Sequence, residues 1–391
     1  MLKRTVLGPF EEKFLAEYWQ KRPLLIRAAF PGGIDAIDPD SLAGLACQDG
    51  IDSRLVIEKG LRPWHTQQGP FAESVFETLP KTHWTLLVQA VDRLIPEVSA
   101  IRESFQFIPN WRLDDIMISY AADQGSVGPH TDNYDVFLIQ AIGRRRWQFG
   151  EHALDEPNFI DGLDMKILKE FKADHDFVLE PGDMLYLPPL IAHHGVAQGE
   201  CVTYSVGFRA PTQNELLVSY SQFLMQSENP DSFYRDPVHE LVPIDSTLND
   251  PGLIRDHDIE SLRKLMIESL KDEQIFRRWI GAFLTEPRNF HEANDTPLDY
   301  AGFLQLLRTE KALLKVEGGR FAYHVLDRQV YFAAEGETLV LSEELLKLVQ
   351  ILCAKEYIPT GELLRFEQTA GFAECMLHLW NQGFLRRDYD A

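Results

Sequence analysis

The chain has 391 residues, 45% hydrophobic, 25% charged and 11% aromatic, a globular composition that excludes a disordered chain and fits a catalytic domain with one or two smaller modules. Its 60 acidic against 38 basic side chains give a formal charge of −22, which disfavours phosphate backbones and anionic membranes as direct partners and favours a basic protein. The first residues, MLKRTVLGPFEEKF, lack the apolar core of a signal peptide, and the four cysteines are scattered without CxxC spacing, so a cytoplasmic chain without disulfides or a structural zinc is expected.

In chain order, the first stretch runs to about residue 211 and mixes helix with strand. Residues 9–19 and 84–94 read as helices, the first with Phe14, Leu15, Tyr18 and Trp19 on one face. Beyond Trp111 the period changes. Ile116, Ile118 and Tyr120 alternate with Asp115, Met117 and Ser119, and residues 136–142, 146–149, 177–179, 184–187 and 202–208 follow as short strands between turns. Many short strands without intervening helices predict a sandwich or barrel-like jelly roll.

Thr212 then caps a helix with Leu216, Leu217, Tyr220, Phe223 and Leu224 at helical spacing. The polar loop 226–251 leads to a helical stretch at 258–285. So much apolar surface on two or three helices needs either the first domain or a second copy of the chain to cover it. Residues 287–297 read as a linker. After them, helices around 301–307, 342–354 and 370–382 surround two strand-like runs, 320–326 and 330–341, a module of winged-helix type. Acidic side chains outnumber basic ones there and no helix is a basic stripe, which points to protein contact rather than DNA.

The stretch that carries chemistry is Gly128-Pro129-His130-Thr131-Asp132-Asn133-Tyr134. In an extended chain residues i and i+2 point to one side, so His130 and Asp132 present an imidazole and a carboxylate to a common point. His193 or His194, after the apolar run 184–187 and Pro188-Pro189, would complete a face of two histidines and one carboxylate. That set, with three positions left open, suits non-haem Fe(II). Alternation within Gly143-Arg144-Arg145-Arg146-Trp147 sends Arg145 inward, where a guanidinium can grip a carboxylate such as that of 2-oxoglutarate.

These residues, together with WQKRP at 19–23, DSRL at 52–55, WTLLVQAV at 84–91, WRLDDIMIS at 111–119, residues 127–137, 143–147 and 180–189, and YSVGFRAP at 204–211, resemble the JmjC-type ribosomal oxygenases over the whole chain. Within them they are most similar to the bacterial arginine hydroxylases of a large-subunit ribosomal protein. The resemblance implies an α+β chain: a double-stranded β-helix (jelly-roll, cupin-like JmjC) core at 1–211, a helical dimerisation region at 212–290 and a winged-helix-like module at 291–391. It implies His130, Asp132 and His193 as iron ligands, His194 standing where relatives commonly carry an acid. Arg145 is implied as partner of the distal carboxylate of 2-oxoglutarate, with Ser119 beside it. Asp115, Met117, Tyr134 and Ser205 are implied to hold the target arginine.

The activity so implied is Fe(II)- and 2-oxoglutarate-dependent hydroxylation of an arginine β-carbon in a basic ribosomal protein by a cytoplasmic homodimer, releasing succinate and carbon dioxide, with no direct nucleic-acid or membrane partner. Three alternatives stay open: a histidine hydroxylase of a ribosomal protein, another cupin-like metal enzyme that would not need Arg145, and a silent adaptor for basic proteins.

Overall fold

The protein is seen in a computed structural model that describes residues 6–34, 37–58, 64–226, 233–234, 254, 256–287, 294 and 297–387. The first domain contains strands β1 (Leu24–Ile26), β2 (Ser53–Glu58), β3 (Trp64–Gln68), β4 (Trp84–Val88), β5 (Leu113–Ala121), β6 (Asp135–Ala153), β7 (His175–Leu179), β8 (Met184–Leu187) and β9 (Ile191–Phe208), with helices α1 (Glu11–Glu17), α2 (Pro39–Ala46), α3 (Glu73–Glu77) and α4 (Pro96–Ile101). They join in one sheet of order β1-β8-β6-β9-β5-β4-β2-β3, with β7 on β6.

The short strands expected around residues 136–149 and 202–208 are pieces of two long ones. β6 and β9 pair from Asp135↔Phe208 to Ala153↔Ile191, with register shifts at Gln140/Ile142, Ile142/Arg144 and Phe149/Ala153. Each shift bends the ribbon. At the central bend Gly143 has φ +65°, and a Cβ there would lie 2.1 Å from the Glu200 carbonyl oxygen, so only glycine fits. The bent sheet encloses a cavity lined from β4, β5, β6 and β9, the jelly roll that the strand pattern predicted.

Alternation assigns the two faces of each strand. Leu86, Ile116, Ile118, Phe137, Ile139, Tyr204 and Val206 pack outward against Phe14 of α1, Leu42 of α2 and Val98 of α4. Their neighbours Thr85, Leu87, Met117, Ser119, Val136, Leu138, Thr203 and Ser205 line the cavity. One sequence expectation fails here, the helix at 84–94. Residues 84–88 form β4, held between β2 and β5, and the left-handed Ala90 (φ +51°) then turns the chain into a short 3-10 turn. Because Thr85 to Val88 are buried on both faces, the run reads as uniformly apolar and loses the period that separates strand from helix.

Three helices follow: α5 (Gln213–Gln226), α6 (Asp256–Glu268) and α7 (Glu273–Thr285). Thr212 and Glu215 form a capping box, Thr212 Oγ1 accepting the Glu215 N–H and Glu215 Oε2 accepting the Thr212 N–H. The stretch expected at 258–285 is two helices, because Asp272 caps a new one at residue 273. Trp279 and Phe283 of α7 bury against Tyr220 of α5, whereas α6 has no buried residue. Most of the polar loop expected at 226–251, and most of the linker at 287–297, lie outside the described residues.

The last module contains α8 (Tyr300–Thr309), β10 (Ala312–Lys315), β11 (Phe321–Leu326), β12 (Gln329–Ala334), β13 (Glu337–Ser342), α9 (Leu346–Ala354), β14 (Tyr357–Pro359), α10 (Thr360–Leu363), α11 (Phe372–Asn381) and β15 (Leu385–Arg387). The run read as one strand at 330–341 is the hairpin β12–β13, turned at Glu335-Gly336, where both residues have positive φ as a type I′ turn requires. Phe303, Leu348, Phe372 and Leu379 centre its own core.

A buried polar network ties this module to the catalytic sheet. Arg320, 3% exposed, donates to the Asp114 carbonyl at 2.7 Å and to its carboxylate at 2.5 Å. Arg102 donates to Asp92 at 2.5 Å and to the Gly318 carbonyl at 3.1 Å, while the other Asp92 oxygen accepts the Ile116 N–H at 2.8 Å. Arg93 and Glu335, both buried, pair at 3.3 Å. Removing one partner from such a network leaves charges and carbonyls without donors. Arg320→Leu is expected to lower stability by about 3 kcal/mol, the low end for a buried pair because Asp114 keeps some exposure. Denaturant titration reads this; a loss under about 1 kcal/mol would reduce the clamp to an ordinary surface pair.

Candidate active site

The cavity inside the sheet measures about 330 Å³, the scale of a small-ligand pocket. His130, Asp132 and His193 meet at its wall, with one ligand atom of each within 4.8 Å of the others. His130 lies in the loop before β6 and His193 in β9, and their backbones are stitched together: each N–H donates to the other's carbonyl, at 3.0 and 2.9 Å. The Leu190 N–H donates to the Asp132 carbonyl at 2.7 Å, fixing the third member.

Both imidazoles are oriented in the same way. His130 Nδ1 lies 2.9 Å from the Gly128 carbonyl and His193 Nδ1 lies 2.9 Å from the Ile191 carbonyl. A carbonyl only accepts, so both Nδ1 atoms carry the proton and both Nε2 lone pairs face the shared point, the usual outer arrangement of a metal-binding histidine. Burial, and then the neighbouring His130, push the His193 imidazole down to about 4 against the opposing pull of Asp132. At neutral pH it is the neutral ligand a cation requires. Two imidazoles and one carboxylate on one side of a space fit a divalent metal with the far side open. His194 pairs in register with Gln148 and lies edge-on to Phe171, away from this group.

Deeper in the cavity stands Arg145, 3% exposed, between exposed Arg144 and Arg146 as alternation predicted. It donates to Ser119 Oγ at 3.4 Å and to the Gly195 carbonyl at 3.3 Å, its guanidinium stacks on Trp147 at 5.0 Å, and its Nε has no partner. Among the described residues no carboxylate pairs with it. A buried guanidinium without an anion is costly, so this end of the cavity suits a ligand carboxylate. Gly195 makes the room: a Cβ there would lie 2.7 Å from Arg145 Nε and 2.7 Å from the Trp147 ring. Gly195→Ala is therefore expected to displace the guanidinium and weaken carboxylate binding roughly tenfold, the scale of a charged hydrogen bond, as read by calorimetry. Unchanged affinity would mean that Arg145 is not the anchor.

Met117, Tyr134 and Ser205 line the mouth, Tyr134 being 43% exposed and Met117 Sδ accepting from Gln89 Nε2 at 3.4 Å. Asp115 stands next to this group, on the far side of Gly207 from Tyr134. It lies at the irregular start of β5, between Leu113 and Ile116, with one carboxylate oxygen accepting the Ala90 N–H at 2.9 Å. Gly207, two residues beyond Ser205, leaves open the space that both border: a Cβ there would sit 3.6 Å from the other Asp115 oxygen and 3.8 Å from the Tyr134 ring. The lining also holds Thr85, Gln89 and Thr203, which the sequence reading missed. The spacing of Thr85, Leu87 and Gln89 would have shown the first two, had 84–88 been read as a strand.

Known proteins resemble this chain in both sequence and fold. Residues 100–216 match the JmjC domain family and residues 268–386 the ROXA-like winged helix family. The chain is 39% identical over 284 residues, 73% of each chain, to the ribosomal protein uL16 3-hydroxylase of Escherichia coli (strain K12). It is 31% identical over 352 residues, 86% of this chain and 84% of the other, to a probable ribosomal oxygenase of Haemophilus influenzae. The structure of YcfD, a ribosomal oxygenase from Escherichia coli, in complex with cobalt and 2-oxoglutarate superposes with a TM-score of 0.82 at 32% identity, covering 96% of this chain and 97% of that one.

Proposed function

Because the chain belongs to the JmjC-domain ribosomal oxygenase family, we propose that it is an Fe(II)- and 2-oxoglutarate-dependent hydroxylase acting on the β-carbon of an arginine in a large-subunit ribosomal protein. The observation that carries this reading is one cavity holding both a two-histidine, one-carboxylate face and a buried arginine with no anionic partner. The relative that acts on uL16 supplies the ribosomal target and the 3-position. Bound iron, 2-oxoglutarate and dioxygen supply the oxidising chemistry, with succinate and carbon dioxide as co-products.

The chain's own residues hold and orient. His130, Asp132 and His193 bind the metal facially and leave its cavity side open. Arg145, its guanidinium positioned by Ser119 Oγ, takes the distal carboxylate and so fixes which end of the cosubstrate reaches the metal. Val136, Leu138 and Trp147 keep water from the space between. Met117 and Tyr134 flank the methylene stem and guanidinium of the target, Ser205 offers a hydroxyl, and the Asp115 carboxylate attracts the cation from behind Gly207. The charge of −22 favours encounter with a highly basic partner.

With this reading goes a division into a catalytic domain at 1–211, a helical dimerisation region at 212–290 and a winged-helix-like module at 291–391, in a cytoplasmic homodimer. Leu217, Val218, Met225, Leu262 and Met266 on α5 and α6 are exposed and would be covered by a second copy. The test is to incubate the protein under air with Fe(II), 2-oxoglutarate and the set of ribosomal proteins, then analyse peptides by mass spectrometry. One arginine gaining the mass of an oxygen atom supports the reading. A modified histidine would replace the target, and succinate release without any modified peptide would reject the ribosomal substrate.

A further inference from the structure

Ser119 is not the hydroxyl best able to donate to an anion at the deep end of the cavity. It accepts from Arg145 and directs its own proton to the Thr203 carbonyl, 3.4 Å away. A hydroxyl has one proton, so Ser119 cannot also donate to a carboxylate without leaving that carbonyl. Thr85 stands differently. Its residue is fully buried, it lines the same cavity, and its Oγ1 has no hydrogen-bond partner.

The sheet register places it. Thr85 pairs with Ala121, two residues beyond Ser119 on the same face of β5, and Ala121 packs against Ala197, the register partner of Arg145 on β9. Thr85 therefore projects one step deeper than Ser119, at the level of the guanidinium. Two buried polar groups at one level, the Thr85 hydroxyl and Arg145 Nε, lack partners, and a carboxylate between them would satisfy both.

Resting on the reading above, we infer that Thr85 is a cofactor-binding residue that donates its hydroxyl proton to the distal carboxylate of 2-oxoglutarate, beside Arg145. Thr85→Val keeps the shape and removes the donor, and Thr85→Ser keeps the donor. Binding is measured on cobalt-loaded protein by calorimetry. For Thr85→Val, 2-oxoglutarate should bind roughly tenfold more weakly, while Thr85→Ser should bind as the parent does. Oxalate, which reaches the metal but has no distal carboxylate, should bind equally to all three.

A second readout involves no cofactor. Metal-free Thr85→Val should melt higher than the parent, because it removes a buried hydroxyl without a partner. Unchanged 2-oxoglutarate affinity, an equal loss for oxalate, or a lower melting temperature of the free Thr85→Val protein would each overturn the assignment. If the parent itself bound no 2-oxoglutarate, the enzyme reading would fall with it; parent binding alongside an unaffected Thr85→Val overturns the Thr85 role alone.

Discussion

His193→Ala is expected to abolish hydroxylation and to reduce divalent-metal affinity more than about hundredfold, since even an outer partner of a metal ligand is worth ten- to hundredfold. The size of the effect follows from how little else can replace the side chain. His193 is 2% exposed, its Nδ1 is committed to the Ile191 carbonyl, and its backbone is tied in both directions to His130. His194→Ala is the control that separates the two adjacent histidines. It lies on the other side of β9 against Phe171, so metal content should not change. Metal analysis after anaerobic reconstitution measures both variants. Retention of metal by His193→Ala together with its loss in His194→Ala would transfer the ligand role to the neighbour. Asp132→Ala should behave as His193→Ala does, because a face of two neutral imidazoles alone has no negative charge to hold the cation.

How much of this was legible in the sequence depended on whether a residue's environment repeats with the period of its element. Arg145 was readable because exposed Arg144 and Arg146 bracket it and the strand is regular there. His130 and Asp132 were readable from their i, i+2 spacing, although the hydrogen bonds that set their geometry come from Gly128 and from β9, sixty residues away in the chain. Thr85 was hidden because β4 is buried on both faces, which erases the alternation that marks a strand. Asp115 is a different case. Alternation places it with Met117 and Ser119, and the register shift between Leu113 and Ile116 falls at that point, where Arg320, Ala90 and Asp92 each hold one residue of the segment. No local pattern could show that the C-terminal module reaches back to Asp114. The length of β6 and β9 was hidden as well, since Gly143 and the bends look like the turns that end strands.

Arg145→Met should separate stability from function in opposite directions. In the free protein, Arg145 is a fully buried cation that no carboxylate among the described residues pairs, and burial lowers its pKa from the ordinary guanidinium value. Replacing such a group with an apolar side chain of similar length relieves that cost, so metal-free Arg145→Met should melt at or above the parent's temperature. The same change removes the bidentate anchor for the distal carboxylate and should weaken 2-oxoglutarate binding about a hundredfold or more. Arg145→Lys should fall between the two, since a single ammonium replaces the planar fork that reaches both Ser119 and the Gly195 carbonyl. Thermal melting with and without 2-oxoglutarate makes the contrast direct. In the metal-loaded parent, ligand at a hundred times its dissociation constant should add about 2.7 kcal/mol, while Arg145→Met at that concentration should gain less than about 1 kcal/mol. A variant that is less stable when free and still stabilised by 2-oxoglutarate would show that Arg145 holds the fold and that the anion binds elsewhere. The expected crossing, more stable empty and indifferent to ligand, is what a site preorganised for an anion requires, because the cost of burying the charge is recovered only when the carboxylate arrives.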